Sequence, residues 1–200
     1  MYGGKCKEMT MKQIKTYCEA LRPYIDIILF VVALLVANYF WKFTVVGDEG
    51  GDQVTWFGID ITRPFNALAA HIANAVYWLV HLTRDTIYQF PDNILWFTSG
   101  SSVKIVWSCT ALKQSFIWLI IMLASRGKWL GKLWFIPLGW AFIYTFNILR
   151  ISWITMIIEH HPELFELMHS YVFKYLFYLM LFALWVWWTK IAERSKNVEG

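Results

Sequence analysis

The chain has 200 residues and a formal net charge of +4, with 58% hydrophobic and only 16% charged residues. Soluble domains carry roughly 45–50% apolar and about 25% charged residues, so this composition excludes an ordinary soluble domain and describes an integral membrane protein. Its thirteen Trp, ten Tyr and fifteen Phe suit anchoring at the two lipid–water boundaries and by themselves define no ligand box.

The distribution of charge carries more than its sum. Lys5, Lys7, Lys12, Lys15 and Arg22 precede the first apolar run, and Lys190, Arg194 and Lys196 follow the last. By the positive-inside rule both termini are expected on the cytosolic side of a cytoplasmic (inner) membrane. Charges that directly flank apolar runs in this way argue against a nucleic-acid-binding arm. Cys6, Cys18 and Cys109 form neither a disulfide framework nor a zinc spacing, and the first two fall in the reducing, basic segment 1–23. The long basic lead lacks a following small-residue cleavage site, so the first apolar run reads as a retained signal anchor.

The run 24–41 is long enough to span and carries only Asp26, near its start. Residues 42–63 hold Asp48, Glu49, Asp52 and Asp60 around a Gly-Gly turn, the pattern of an external acidic loop. Residues 65–82 are apolar but contain Asn66, His71, Asn74 and His81. A crossing here would thrust the basic loop of Arg126, Lys128 and Lys132 outside, against the positive-inside rule. Asn66, Asn74, Tyr77 and His81 recur at helical spacing, so 65–82 is expected as an outer interfacial or re-entrant helix. Within 85–107, short β-favouring runs separated by Pro91-Asp92 and Ser99-Gly100-Ser101 predict a small extracytoplasmic β-hairpin or sheet. Further spans are expected over 109–125, 133–158 and 169–190, and 191–200 forms a cytosolic tail. The fold class is thus an all-α polytopic membrane protein, a single membrane domain over 24–190 with about four crossings.

Helix rise places the notable polar residues by height. At roughly 1.5 Å per residue, Cys109 lies about 26 Å above Arg126, Arg150 about 27 Å above Lys132, and His169 about 32 Å above Lys190. The hydrocarbon core is about 30 Å thick, so three reactive or charged side chains on three helices reach one level near the outer surface. Arg150 inside an apolar run costs on the order of 2.5–3.5 kcal/mol on insertion scales, which argues for a polar cavity, and Asn147 one turn below shares its face. Cys109 is expected at a helix start, with Ser108 as N-cap and Lys113 one turn on, a setting that favours thiolate character. His169 would complete the set as general base or acid.

The stretch Cys109-Thr110-Ala111-Leu112, the stretch Asn147-Ile148-Leu149-Arg150-Ile151 and His169 together resemble the exosortase/archaeosortase family of membrane transpeptidases. The resemblance covers about residues 87–190. In that family the cysteine is usually followed by a Ser-Gly-like pair, where this chain has Thr110-Ala111. The resemblance implies cleavage of a C-terminal sorting signal on exported proteins (a short motif, a transmembrane helix and a basic tail) with Cys109 as nucleophile through a thioacyl intermediate. It implies that His169 shuttles protons, that Arg150 stabilises the oxyanion or orients substrate, and that the acyl group passes to a lipid or other envelope acceptor. It implies no cofactor and no metal.

Two other readings compete. A metalloprotease built on His160, His161 and His169 lacks the HExxH spacing that puts two ligands on one helical face. A non-catalytic scaffold or small transporter would use Arg150 to line a polar pathway, and a carboxylate paired with Arg150 from another span would favour it.

Overall fold

The computed structural model describes residues 11–47 and 53–197. Cys6, Lys5 and Lys7, and the acidic residues Asp48, Glu49 and Asp52, lie outside the described residues. Helix α1, Met11–Thr44, starts within the basic segment and continues without a break through the first apolar run. The order is then β1 (Val45–Gly47), β2 (Val54–Trp56), β3 (Ile59–Asp60), α2 (Thr62–His81), β4 (Ile87–Phe90), β5 (Ile94–Phe97), β6 (Ser102–Lys104), α3 (Leu112–Ala124), α4 (Trp129–Ile158) and α5 (Phe173–Asn197).

Among the described residues three helical segments are long and apolar enough to cross a membrane: Tyr24–Thr44, Trp129–Ile158 and Pro162–Arg194. These are compatible with a multi-pass membrane protein. Large apolar side chains along α1, including Ile28, Val32, Val36 and Tyr39, are exposed on one stripe at helical spacing. Such a stripe is unfavourable against water and neutral against lipid. Helix α3 is apolar but has only 13 residues, about 20 Å of rise at 1.5 Å per residue, less than the hydrocarbon thickness.

The helix expected from Cys109 starts later. Trp107–Thr110 is a 3-10 turn, and Ala111 follows it in the left-handed region with φ 58° and ψ 16°. A left-handed residue turns its peptide out of the α-helical register, so α3 starts only at Leu112. No side chain caps either the turn or the helix, and the N-cap role expected of Ser108 is absent. Thr110 instead closes the turn on itself, its hydroxyl donating to the Trp107 carbonyl at 2.7 Å.

Contacts at the two ends of the helices fix their relative direction. At one end Asp26 of α1 pairs with Arg126 at 3.3 Å, Trp185 Nε1 of α5 donates to Ser125 Oγ at 3.0 Å, and Trp188 Nε1 donates to the Arg126 carbonyl at 3.0 Å. Lys132, only 4% exposed, donates to the carbonyls of Leu123 and Ser125 and lies over the Trp129 ring at 4.8 Å. An ammonium on the last carbonyls of α3 satisfies orphan acceptors and complements the helix dipole. Helices α1, α3, α4 and α5 therefore alternate in direction. Between them lies an aromatic core in which Phe116 stacks on Phe40 at 5.8 Å, Phe30 meets Trp185 at 4.9 Å, and Trp118 meets Phe135 at 5.9 Å.

The opposite end is covered by two antiparallel three-stranded sheets and α2. The first sheet, β1-β2-β3, pairs Val45 with Trp56 and Thr55 with Asp60, in a stretch read from sequence as a loop. Strands of two or three residues are too short to show a period of two. The second sheet, β4-β5-β6, pairs Ile87 with Phe97 and Leu95 with Val103. Its buried Ile87, Leu95 and Phe97 pack with Ile105 on Ile72, Ala73, Val76 and Val80 of α2. The polar residues of α2 are therefore not a single free stripe. Asn74 accepts from Gln89 Nε2 at 2.6 Å and ties α2 to β4, while Tyr77 and His81 are half-buried and stacked at 5.3 Å.

Candidate functional site

The C-terminal half of α4 buries one face: Asn147, Arg150, Ile151, Ile154, Thr155 and Ile158. Spacings of three and four residues put these side chains in one stripe, and Asn147 and Arg150 are neighbours one turn apart on it. Ile151 packs with α2 and the second sheet, while Asn147 reaches the 3-10 turn.

Cys109 sits on that turn, partly buried and with a free thiol, packed against the same apolar cluster as Tyr77, Ile148 and Met156. Its amide donates to the Val106 carbonyl at 2.9 Å, and its carbonyl accepts from Asn147 Nδ2 at 2.7 Å. Asn147, 1% exposed, thus clamps the backbone of the cysteine to α4. The clamp fixes where the sulfur stands without engaging it.

Arg150 is 9% exposed and lies within electrostatic reach of the Cys109 sulfur. Its Nε is buried without a hydrogen-bond partner, as is the hydroxyl of Ser152. A buried N–H that lacks an acceptor forfeits roughly 1–3 kcal/mol, which an incoming oxygen would recover. Among the described residues no carboxylate pairs with Arg150. The one acid at the start of the first apolar run, Asp26, is engaged with Arg126 at the far end. This is the arrangement that the pathway reading would need to be otherwise.

His169 lies half-buried on a π-helical turn, Leu167–Val172, just before α5. Its ring stacks on Phe165 at 5.2 Å. A π-turn widens the helix by one residue and is frequent at functional sites. The structure thus joins Asn147 to the backbone of Cys109, places Arg150 one turn along α4 from Asn147, and sets His169 at the same end of the bundle, on the segment that returns from α4. Lys113 is half-buried on the first turn of α3, where it borders a cleft on the other side of the cysteine turn.

Glu159 lies between the spans expected over 133–158 and 169–190; its side chain is 4% exposed and pairs with Arg84 at 2.5 Å. Thr86 donates to its other carboxylate oxygen at 2.9 Å. The partner lies 75 residues away, which no local pattern can reveal. His160 meets Arg84 at 3.1 Å and His161 meets Glu163 at 3.0 Å. Among the described residues no three His, Cys, Asp or Glu side chains gather as a metal site. Of the two histidines that the sequence places on the helix expected over 65–82, His71 has its Nε2 2.8 Å from the Tyr144 hydroxyl, and His81 has a buried Nδ1 without a partner.

No family model, no curated protein and no solved structure matches this chain.

Proposed function

We propose that this chain is a membrane cysteine transpeptidase of the exosortase/archaeosortase kind, acting on the C-terminal sorting signal of exported proteins. The observation that carries the reading is Arg150, buried with an unpartnered Nε beside a free cysteine whose backbone Asn147 holds in place. An arginine kept so deep without a carboxylate suits charge that develops only during a reaction.

In this reading the Cys109 thiolate adds to the scissile carbonyl carbon, and the oxygen takes up the negative charge against Arg150. Collapse breaks the C–N bond, the leaving amine takes a proton from His169, and an acyl thioester on Cys109 remains. An acceptor hydroxyl or amine then gives its proton to His169, attacks the thioester and releases the thiolate. Asn147 holds the cysteine backbone through both steps.

The same reading has four crossings, with α3 and its preceding turn together filling the second. Both termini and the Arg126–Lys132 loop face the cytosol, and the site faces the periplasm or exterior. Lys128, Arg126 and Lys132 gather at the end where α1 enters and α5 leaves, which supports that orientation.

The test is co-expression with a tailed substrate and recovery of the acyl-enzyme. Cys109→Ala should abolish processing, and a hydroxylamine-sensitive adduct should map to Cys109 by mass. Unchanged processing in Cys109→Ala would refute the transpeptidase reading.

A further inference from the structure

A cleft of about 410 Å³ opens beside the cysteine turn, on the side away from α4. Its aromatic wall is continuous: Trp41 meets Phe65 at 6.5 Å and Phe65 meets Trp107 at 6.1 Å, edge to face. Lys42, from the last turn of α1, and Lys113, from the first turn of α3, both line it. Two helices thus bring ammonium groups to one cleft, and among the described residues no carboxylate pairs with Lys42 or Lys113.

Two ammonium groups that no carboxylate among the described residues neutralises favour an anion between them. The cleft lies where apolar α1 ends and is walled by indole and phenyl rings, the side chains that settle at headgroup depth. We infer that the cleft binds the headgroup of an anionic glycerophospholipid, its phosphate on Lys42 and Lys113, with the acyl chains leaving along α1 into the bilayer. The site does not depend on the chemistry proposed for Cys109, although Ser108 and Thr110, its two neighbours, form part of the cleft wall.

The test uses the full chain purified in a neutral detergent, with thermal unfolding followed as dioleoyl-phosphatidylglycerol is added in mixed micelles. Saturating lipid should raise the midpoint by about 3–5 °C, and phosphatidylcholine by much less. Lys42→Gln, an exposed substitution that leaves the core untouched, should weaken apparent affinity roughly tenfold, and Lys42→Gln with Lys113→Gln should remove the shift. Lys128→Gln, at the opposite end, and Cys109→Ala should retain it in full. An equal shift in the Lys42 variants, or an equal response to phosphatidylcholine, would overturn the site. An equal response to inorganic phosphate alone would overturn the lipid as its occupant.

Discussion

The side-chain amide of Asn147 on α4 donates to the main-chain carbonyl of Cys109 across 2.7 Å, linking residues 38 apart in sequence. Asn147 is buried and Cys109 partly so, and deleting the donor leaves the carbonyl unpaired at about 1–3 kcal/mol. Asn147→Ala is therefore expected to lower the unfolding midpoint and to release the cysteine turn. Alkylation of Cys109 in membranes, in a Cys6→Ser, Cys18→Ser background, should become faster. A variant that melts and alkylates like its parent would show that the clamp does not hold the turn.

Ala111 occupies a conformation that an L-residue adopts at a cost of roughly 1–2 kcal/mol relative to a right-handed one, and that glycine adopts freely. It is 4% exposed, so a larger side chain has no room to relax. Ala111→Gly should hold or raise stability by up to about 1 kcal/mol. Ala111→Val should lower it by about 2 kcal/mol or more, because a β-branched residue resists this region and would crowd the core. Paired thermal melts of the two variants check the sign. The small residue two positions after the cysteine is then explained by backbone geometry alone.

The polar stripe of α4 was legible because Asn147 and Arg150 interrupt an apolar run, where each polar residue is costly enough to need a reason. Cys109 was legible by height and charge bookkeeping, which survive small errors in element boundaries. The start of α3 was not. Alanine gives no turn signal, so the left-handed break at Ala111 looked like continuous helix. The first sheet was hidden by strands of three, three and two residues. Glu159 was hidden because its burial depends on Arg84 and on the strand region folding back over the end of α4, a tertiary event with no local trace.

Gly139 marks the closest approach of α3 and α4. A Cβ built there would stand 2.1 Å from Trp118 Nε1, and Trp118 is fully buried with its N–H on the Ile136 carbonyl at 3.3 Å. Neither the indole nor the helix can withdraw without opening the core, and small residues are what let helices approach this far. Gly139→Ala is expected to destabilise by about 1–3 kcal/mol through overpacking. Adding Trp118→Leu should recover part of that loss, a non-additivity that a double-mutant cycle measures directly. Additive losses would mean that the two side chains do not compete for the same space.

Arg84 and Glu159 fasten the strand region to the end of α4. The carboxylate is 4% exposed and the guanidinium 37% exposed, so removing the arginine strands the more deeply buried partner. Arg84→Met should cost about 1–3 kcal/mol, less than for a fully buried pair because Arg84 remains partly in water. Glu159→Gln should cost less, since the amide oxygen still accepts from Arg84 while the amide NH2 can donate to the Thr86 hydroxyl, with no buried charge. The double change Arg84→Met, Glu159→Met should recover most of the loss, as apolar replacement of a buried pair often does. Ser99 and Ser101 both donate to the Glu159 main-chain carbonyl, so the damage in Arg84→Met should spread into the second sheet. Hydrogen exchange at Tyr88, Leu95 and Val103 should quicken while α3 and α5 stay protected. Uniform quickening across all helices would instead mean that the pair holds the whole bundle and not the cover above the site.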